Sequence, residues 1–259
     1  MLSNRDFIKF ENLNEFSKNT NFLLKMRQVS DPIINDSDND SIFTSIIDIR
    51  RLRKFHLDFF NRIFENIKDS IYELLYNEEH DIKYQTLILI KELFSQENQY
   101  YDDIGDWVID ILPILLEINV CNDEFFEISK QALLNISENM LISETIETFL
   151  EEIIESHDFE VKKLAYFYLM QNLDNFIVYN LENCVYWDCC LMILGGMYNL
   201  QGEIGKFAKN IIMFVREKIG LKEFNNIVDK DLDPSVKDLV ICIINEISDK
   251  NEKKNFRNI

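Results

Sequence analysis

The amino-acid sequence predicts an all-α fold, a solenoid of about six antiparallel helix pairs, on the strength of its punctuation, its periodicity and its repetition. Six Gly and three Pro in 259 residues are too few for a sheet protein with many tight turns. Between the turns run long stretches whose apolar residues recur three and four positions apart, the spacing that gives a helix one buried face. One phrase also returns: a short polar turn, an apolar residue with a Lys close by, then a long amphipathic run. It is written NEEHDIKYQTLILIKELF from Asn77, HDFEVKKLAYFYLM from His157, NLQGEIGKFAKNIIMFV from Asn199 and LDPSVKDLVICIINEI from Leu232. The intervals between its lysines, Lys83, Lys162, Lys206 and Lys237, suit a unit of roughly 30 to 45 residues. CNDEFFEISKQALLNI from Cys121 is the member between the first two; its turn keeps Asn122 and Asp123 but lacks the basic residue of the others.

Each element can be placed in order. Residues 1–30 supply an irregular first helix, and VSDPIINDSDND, Val29 to Asp40, reads as a loop because of Pro32 and its run of Ser, Asp and Asn. DSIFTSIIDIRRLRKF, Asp40 to Phe55, completes the first pair, and HLDFFNRIFENIKDSIYELLYN, His56 to Asn77, opens the second. The partners of the recurring phrase are DWVIDILPILLEI (Asp106 to Ile118), SETIETFLEEIIES (Ser143 to Ser156), ENCVYWDCCLMILGGMY (Glu182 to Tyr198) and LKEFNNIVDK (Leu221 to Lys230). Ser143 suits an N-cap, with Glu144 and Glu147 facing the positive end of the helix. Asp233 and Pro234 before Ser235 mark another helix start, since Pro is tolerated in the first turn. The last helix ends near Asp249, and KNEKKNFRNI, residues 250–259, is a polar tail. Antiparallel pairs stacked in this way form a HEAT-like, armadillo-like superhelix. No linker rich in Pro, Gly or Ser divides the chain, which therefore reads as a single domain over 1–259, irregular up to about residue 40.

Composition narrows function. The chain is 47% hydrophobic, enough for a sizeable core, and carries a net charge of −19. Nucleic acid and anionic lipid both call for clustered Lys and Arg, so neither is an expected partner. The opening MLSNRDFIKFENLNEF interrupts its apolar residues with charges, and no window approaches the ~20 uninterrupted apolar residues of a membrane span. The five cysteines, Cys121, Cys184, Cys189, Cys190 and Cys242, are odd in number and lie in apolar runs, the pattern of reduced core thiols in a cytoplasmic protein.

Chemistry-bearing patterns are absent. His56, His80 and His157 lie in different repeats without a His or Cys partner at ligand spacing, and the cysteines make no CxxC. Carboxylate pairs such as Glu151 with Glu152, or Asp102 with Asp103, read as solvated faces in a chain with 46 acidic residues. GEIG, Gly202 to Gly205, is a turn without the strand that precedes a phosphate loop. Trp107 and Trp187 fall at helical spacing and belong to the core. The expectation is a protein without catalysis, cofactor or metal.

The turn lysines are where function is expected. One reading makes them part of the repeat, their stems packed along neighbouring helices. The other uses the geometry of a solenoid, which brings every such turn to one edge, so that Lys83, Lys162, Lys163, Lys206, Lys209 and Lys237 line a ridge that an acidic partner could read.

From about Asp40 to Asp249 the layout resembles that of TOG domains, in particular the CLASP-type N-terminal domain of six HEAT-like pairs. The resemblance rests on NEEHDIKYQTLILIKELF, DWVIDILPILLEI and HDFEVKKLAYFYL, and ILPILLEI at Ile111 to Ile118 matches the family's "LP-LL" helix. It implies tubulin binding through the intra-repeat turns, and hence a role in microtubule dynamics. Carried over by position, the second turn offers Lys83, the fourth Lys162 and Lys163, the fifth Lys206 and Lys209, and the sixth Lys237. The first turn lacks the family's Trp and offers Phe43 or Ile42, and the third, CNDEFFEISK, is acidic. The alternative function is a general HEAT-repeat scaffold whose acidic surface binds basic segments of another protein, as transport receptors and phosphatase scaffolds do. The net charge of −19 favours that alternative.

Overall fold

A computed structural model of the protein describes residues 9–17, 20–35, 38–95, 107–180, 194, 202–230 and 234–255. Among these residues there are eleven α-helices and no strand. The chain divides into two compact units, Met1–Met140 and Leu141–Ile259.

The first unit contains α1 (Phe22–Ile34), α2 (Asn39–Phe55), α3 (Leu57–Glu73), α4 (His80–Leu93), α5 (Val108–Cys121) and α6 (Phe126–Asn139), with short 3-10 turns at Phe10–Asn12 and Leu74–Tyr76. Helix α1 packs on α2 and α3, α2 also on α3, α5 packs on α6, and α4 packs against both α2 and α6. That central place explains the composition of α4: Ile82, Gln85, Thr86, Leu87, Ile88, Leu89, Ile90 and Leu93 are all buried. Four aromatic rings extend the core, with Phe64 5.2 Å from Phe60 and 5.4 Å from Trp107, which lies 6.4 Å from Phe94. Such ring pairs contribute about 0.5–1.5 kcal/mol each beyond their buried area.

A polar seam runs through this core. Arg50 of α2, wholly buried, donates from Nε and Nη2 to the two carboxylate oxygens of Glu92 at 2.8 and 2.7 Å, and from Nη1 to Gln85 Oε1 at 2.9 Å. Burial pushes the Glu92 carboxyl above the usual carboxylate range, and the guanidinium pulls it back in part. The end of α4, whose last carbonyls have no partner within the helix, is met by α6. Asn135 Nδ2 donates to Lys91 O at 2.8 Å and Asn139 Nδ2 to Phe94 O at 2.9 Å.

The second unit contains α7 (Ser143–Glu155), α8 (Phe159–Asn180), α9 (Gly202–Ile219), α10 (Leu221–Lys230) and α11 (Pro234–Asn255). Helix α8 packs on α7 and α9, and α9, α10 and α11 pack on one another. Its core is apolar, with Phe149, Leu150, Ile153, Tyr168, Leu169, Leu173, Ile211, Ile212, Val215 and Phe224 buried. Gly202 and Gly220, at φ +64° and +85°, take the left-handed conformation at the two boundaries of α9, where a side chain would be strained.

Several expectations need correction. Helix α1 continues to Ile34 through Pro32 instead of giving way to a loop at Val29; Val29 and Ile33 are buried, and their packing carries the helix past the missing donor. Helix α7 begins at Ser143 with Ile142 at the cap, so Ser143 is not the N-cap. Helix α11 opens on Pro234 as expected, yet it continues beyond Asp249 to Asn255. Cys121 and Cys242 are exposed thiols, the former ending α5 and the latter on an outward face of α11. The helix expected over Glu182 to Tyr198, with Cys184, Trp187, Cys189 and Cys190, lies outside the described residues except for Leu194, which is helical and buried.

Candidate partner-binding edge

The recurring polar turn has one physical cause. Asn77 Oδ1 accepts from the Glu79 amide at 2.8 Å, Asn122 Oδ1 from the Glu124 amide at 3.1 Å, and Asp158 Oδ1 from the Glu160 amide at 2.7 Å. Each is a side chain hydrogen-bonding the backbone two residues on, the device by which Asn and Asp stabilise turns. Helices α4, α6 and α8 start just beyond these turns.

In the first unit, two of the turns meet. The His80 ring stacks on Phe125 at 5.0 Å and on Tyr84 at 6.0 Å, and Lys83 Nζ stands 5.7 Å from the centre of the Phe125 ring. His80 Nδ1 lies 3.5 Å from Asp81 and Nε2 lies 3.7 Å from Glu124. Lys83, half-buried, is thus drawn to a turn that the sequence marks as acidic, because that turn also supplies an aromatic face. Phe43 lies half-buried in the first part of α2, whose cap Asp38 accepts from the Ser41 hydroxyl and amide; these two bonds hold its carboxyl below the usual range.

The lysines of the second unit are engaged locally. Lys162 Nζ donates to Ile153 O at 3.0 Å and Ile154 O at 2.7 Å, closing the C-terminal end of α7. Lys163 pairs with Glu160 at 2.7 Å and lies 4.7 Å from the Phe159 ring centre. Lys206 pairs with Glu203, and Lys237 of α11 pairs with Asp229 of α10 at 2.6 Å. Lys209 is half-buried on α9. On α7, meanwhile, carboxylates crowd at helical spacing. Burial pushes the Glu147 carboxyl up, and the neighbouring charges of Glu144 and Glu151 push it further.

The sequence marks His80 only as a histidine without a ligand partner and gives no sign of its stacking on Phe125, although both stand in the recurring phrase at its turn. No group of three or more His, Cys, Asp or Glu able to hold a metal occurs among the described residues, and none of their helices is long and apolar enough to cross a membrane. No protein-family model matches the chain, and no curated protein matches it.

Proposed function

We propose that the protein is a non-enzymatic, HEAT-like protein-binding module that takes basic segments of a partner on its acidic surface. The observation that carries this reading is the state of the turn lysines. Lys163, Lys206 and Lys237 are each paired with a carboxylate of the same chain and Lys162 is spent on two helix-end carbonyls, in a molecule of net charge −19. The solenoid architecture belongs to the same proposal, supported by the contacts of α4 with α2 and α6 and by the shared turns at Asn77, Asn122 and Asp158. Fixed turns and packed helices offer a pre-formed surface, which lowers the ordering cost of binding.

Tubulin binding through the turn edge is the second reading. It is favoured by Lys83, which sits over Phe125 at the junction of two turns. In that case Phe43, Lys83, Lys162, Lys163, Lys206, Lys209 and Lys237 form the contact set, as in the TOG-like layout.

One experiment separates the two: size-exclusion co-elution at low and moderate salt with a Lys/Arg-rich peptide and with αβ-tubulin. The first reading expects the peptide to bind in a salt-sensitive manner and to weaken with Glu144→Gln, Glu147→Gln and Glu151→Gln together. Tubulin co-elution that is lost in Phe43→Ala, Lys83→Ala, without peptide binding, would replace it with the second.

A further inference from the structure

In this acidic chain the densest basic stretch is RRLRKFH, Arg50 to His56, and the N-terminal segment ENLNEF, Glu11 to Phe16, lies on it. Leu13 is buried, 3% exposed. Lys54 Nζ donates to the carbonyls of Glu11 and Leu13 at 3.0 and 3.4 Å. The Phe16 ring stacks with His56 at 5.9 Å, and Lys25 and Arg51 approach its centre to 5.3 and 6.0 Å. Glu15 lies 3.7 Å from His56 Nε2. Asp48 pairs with both Lys25 and Arg51 and so fixes the two cations that flank the ring.

Every one of these contacts is of a kind that a separate chain could make. The segment has a 3-10 turn at Phe10–Asn12 as its only helical element, and the fold receives it with burial of Leu13, two cations against the Phe16 ring and a lysine for two carbonyls. We propose that this groove at the C-terminal end of α2 is a peptide-binding site for extended acidic segments of the form Leu-x-Glu-Phe, and that the chain's own N-terminal segment occupies it as an intramolecular ligand. The segment is already seated there, with Glu15 beside His56, two of its carbonyls on Lys54 and the Phe16 ring between Lys25 and Arg51. A tethered ligand competes at high effective concentration, so a partner carrying this motif gains access only by displacing it. The groove lies at the opposite end of α2 from Phe43 and does not depend on the reading of the turn lysines.

The test uses the full chain and a labelled peptide, KFENLNEFS (residues 9–17), followed by fluorescence anisotropy. In a chain carrying Leu13→Ser and Phe16→Ser the groove is vacated and its lining is untouched. This chain should bind the peptide at least about tenfold more tightly than the wild type, as removal of an internal competitor requires. Adding Lys54→Met should weaken that binding roughly tenfold through the loss of charge-assisted hydrogen bonds, and a peptide with Ser in place of its Phe16 should not bind. Equal binding to both chains, or binding indifferent to Lys54→Met, overturns the proposal. If the released chain loses helicity, the wild type decides: excess peptide must speed hydrogen exchange of the amides of residues 11–17, and unchanged exchange overturns it. A concentration-dependent wild-type dimer that excess peptide fails to dissolve would assign the groove to a second copy and overturn it likewise.

Discussion

The two units fold by different means. In the first, directional polar bonds cross the core: Arg50 to Glu92 and Gln85, Asn135 and Asn139 to the end of α4, Asn119 to Phe126 O and Ser129 Oγ at 3.0 and 2.9 Å. In the second, the buried polar side chains among the described residues are Thr145, Thr148 and Asn172, within an otherwise apolar core. The first unit therefore specifies helix register in part by bonds that only one alignment satisfies, while the described core of the second is mostly apolar and set by side-chain packing. Buried polar networks of this kind add little net stability but make misalignment costly.

The sharpest way to break this contrast is at Arg50. Arg50→Ala leaves Glu92 buried without its guanidinium and should cost about 3–5 kcal/mol, whereas Arg50→Met with Glu92→Leu should come close to wild type. Chemical denaturation of both variants measures it, and equal losses would mean that the seam acts by packing alone.

The lysines of the second unit provide a smaller contrast. Lys162→Ala uncovers two helix-end carbonyls and should cost about 1.5 kcal/mol, while Lys206→Ala, at an exposed i,i+3 pair, should cost at most about 0.5 kcal/mol. If thermal melts show the same small loss for both, Lys162 is not a structural cap, and the case for a free basic edge is reopened.

The smallest effect at neutral pH, and the most selective, belongs to Tyr168. Burial pushes its phenol up from 10.0 to about 12, so between these values the unfolded chain has lost a proton that the folded one retains. Stability is therefore unaffected below pH 10 and falls as the pH rises through about 12. Tyr168→Phe should flatten that alkaline decline, as followed by circular dichroism against pH.

How much of this is legible in the sequence depends on whether the cause is local. Helical class, most helix positions and the turns at Asn77, Asn122 and Asp158 follow from periodicity and from side chains that bond two residues away. The pairs Glu160 with Lys163 and Glu203 with Lys206 are also visible as i,i+3 spacing. Helix α1 beyond Pro32 is hidden because local propensity says stop, while burial of Val29 and Ile33 says continue. The meeting of Lys83 and His80 with Phe125, the capture of two carbonyls by Lys162, and the covering of RRLRKFH by ENLNEF are long-range in origin. Such contacts depend on how neighbouring helices are set against each other, which one-dimensional spacing does not encode.

The seam also orders the birth of the molecule. The bonds from Arg50 span 35 residues to Gln85 and 42 to Glu92, and those from Asn135 and Asn139 span 44 and 45 back to α4. Gln85 and Glu92 both lie on α4, so these bonds to Arg50 can form once α4 has left the ribosome. Helix α6 then brings Asn135 and Asn139 to the terminal carbonyls of α4. The long-range bonds of the first unit can thus form in chain order, each new helix completing the one before it.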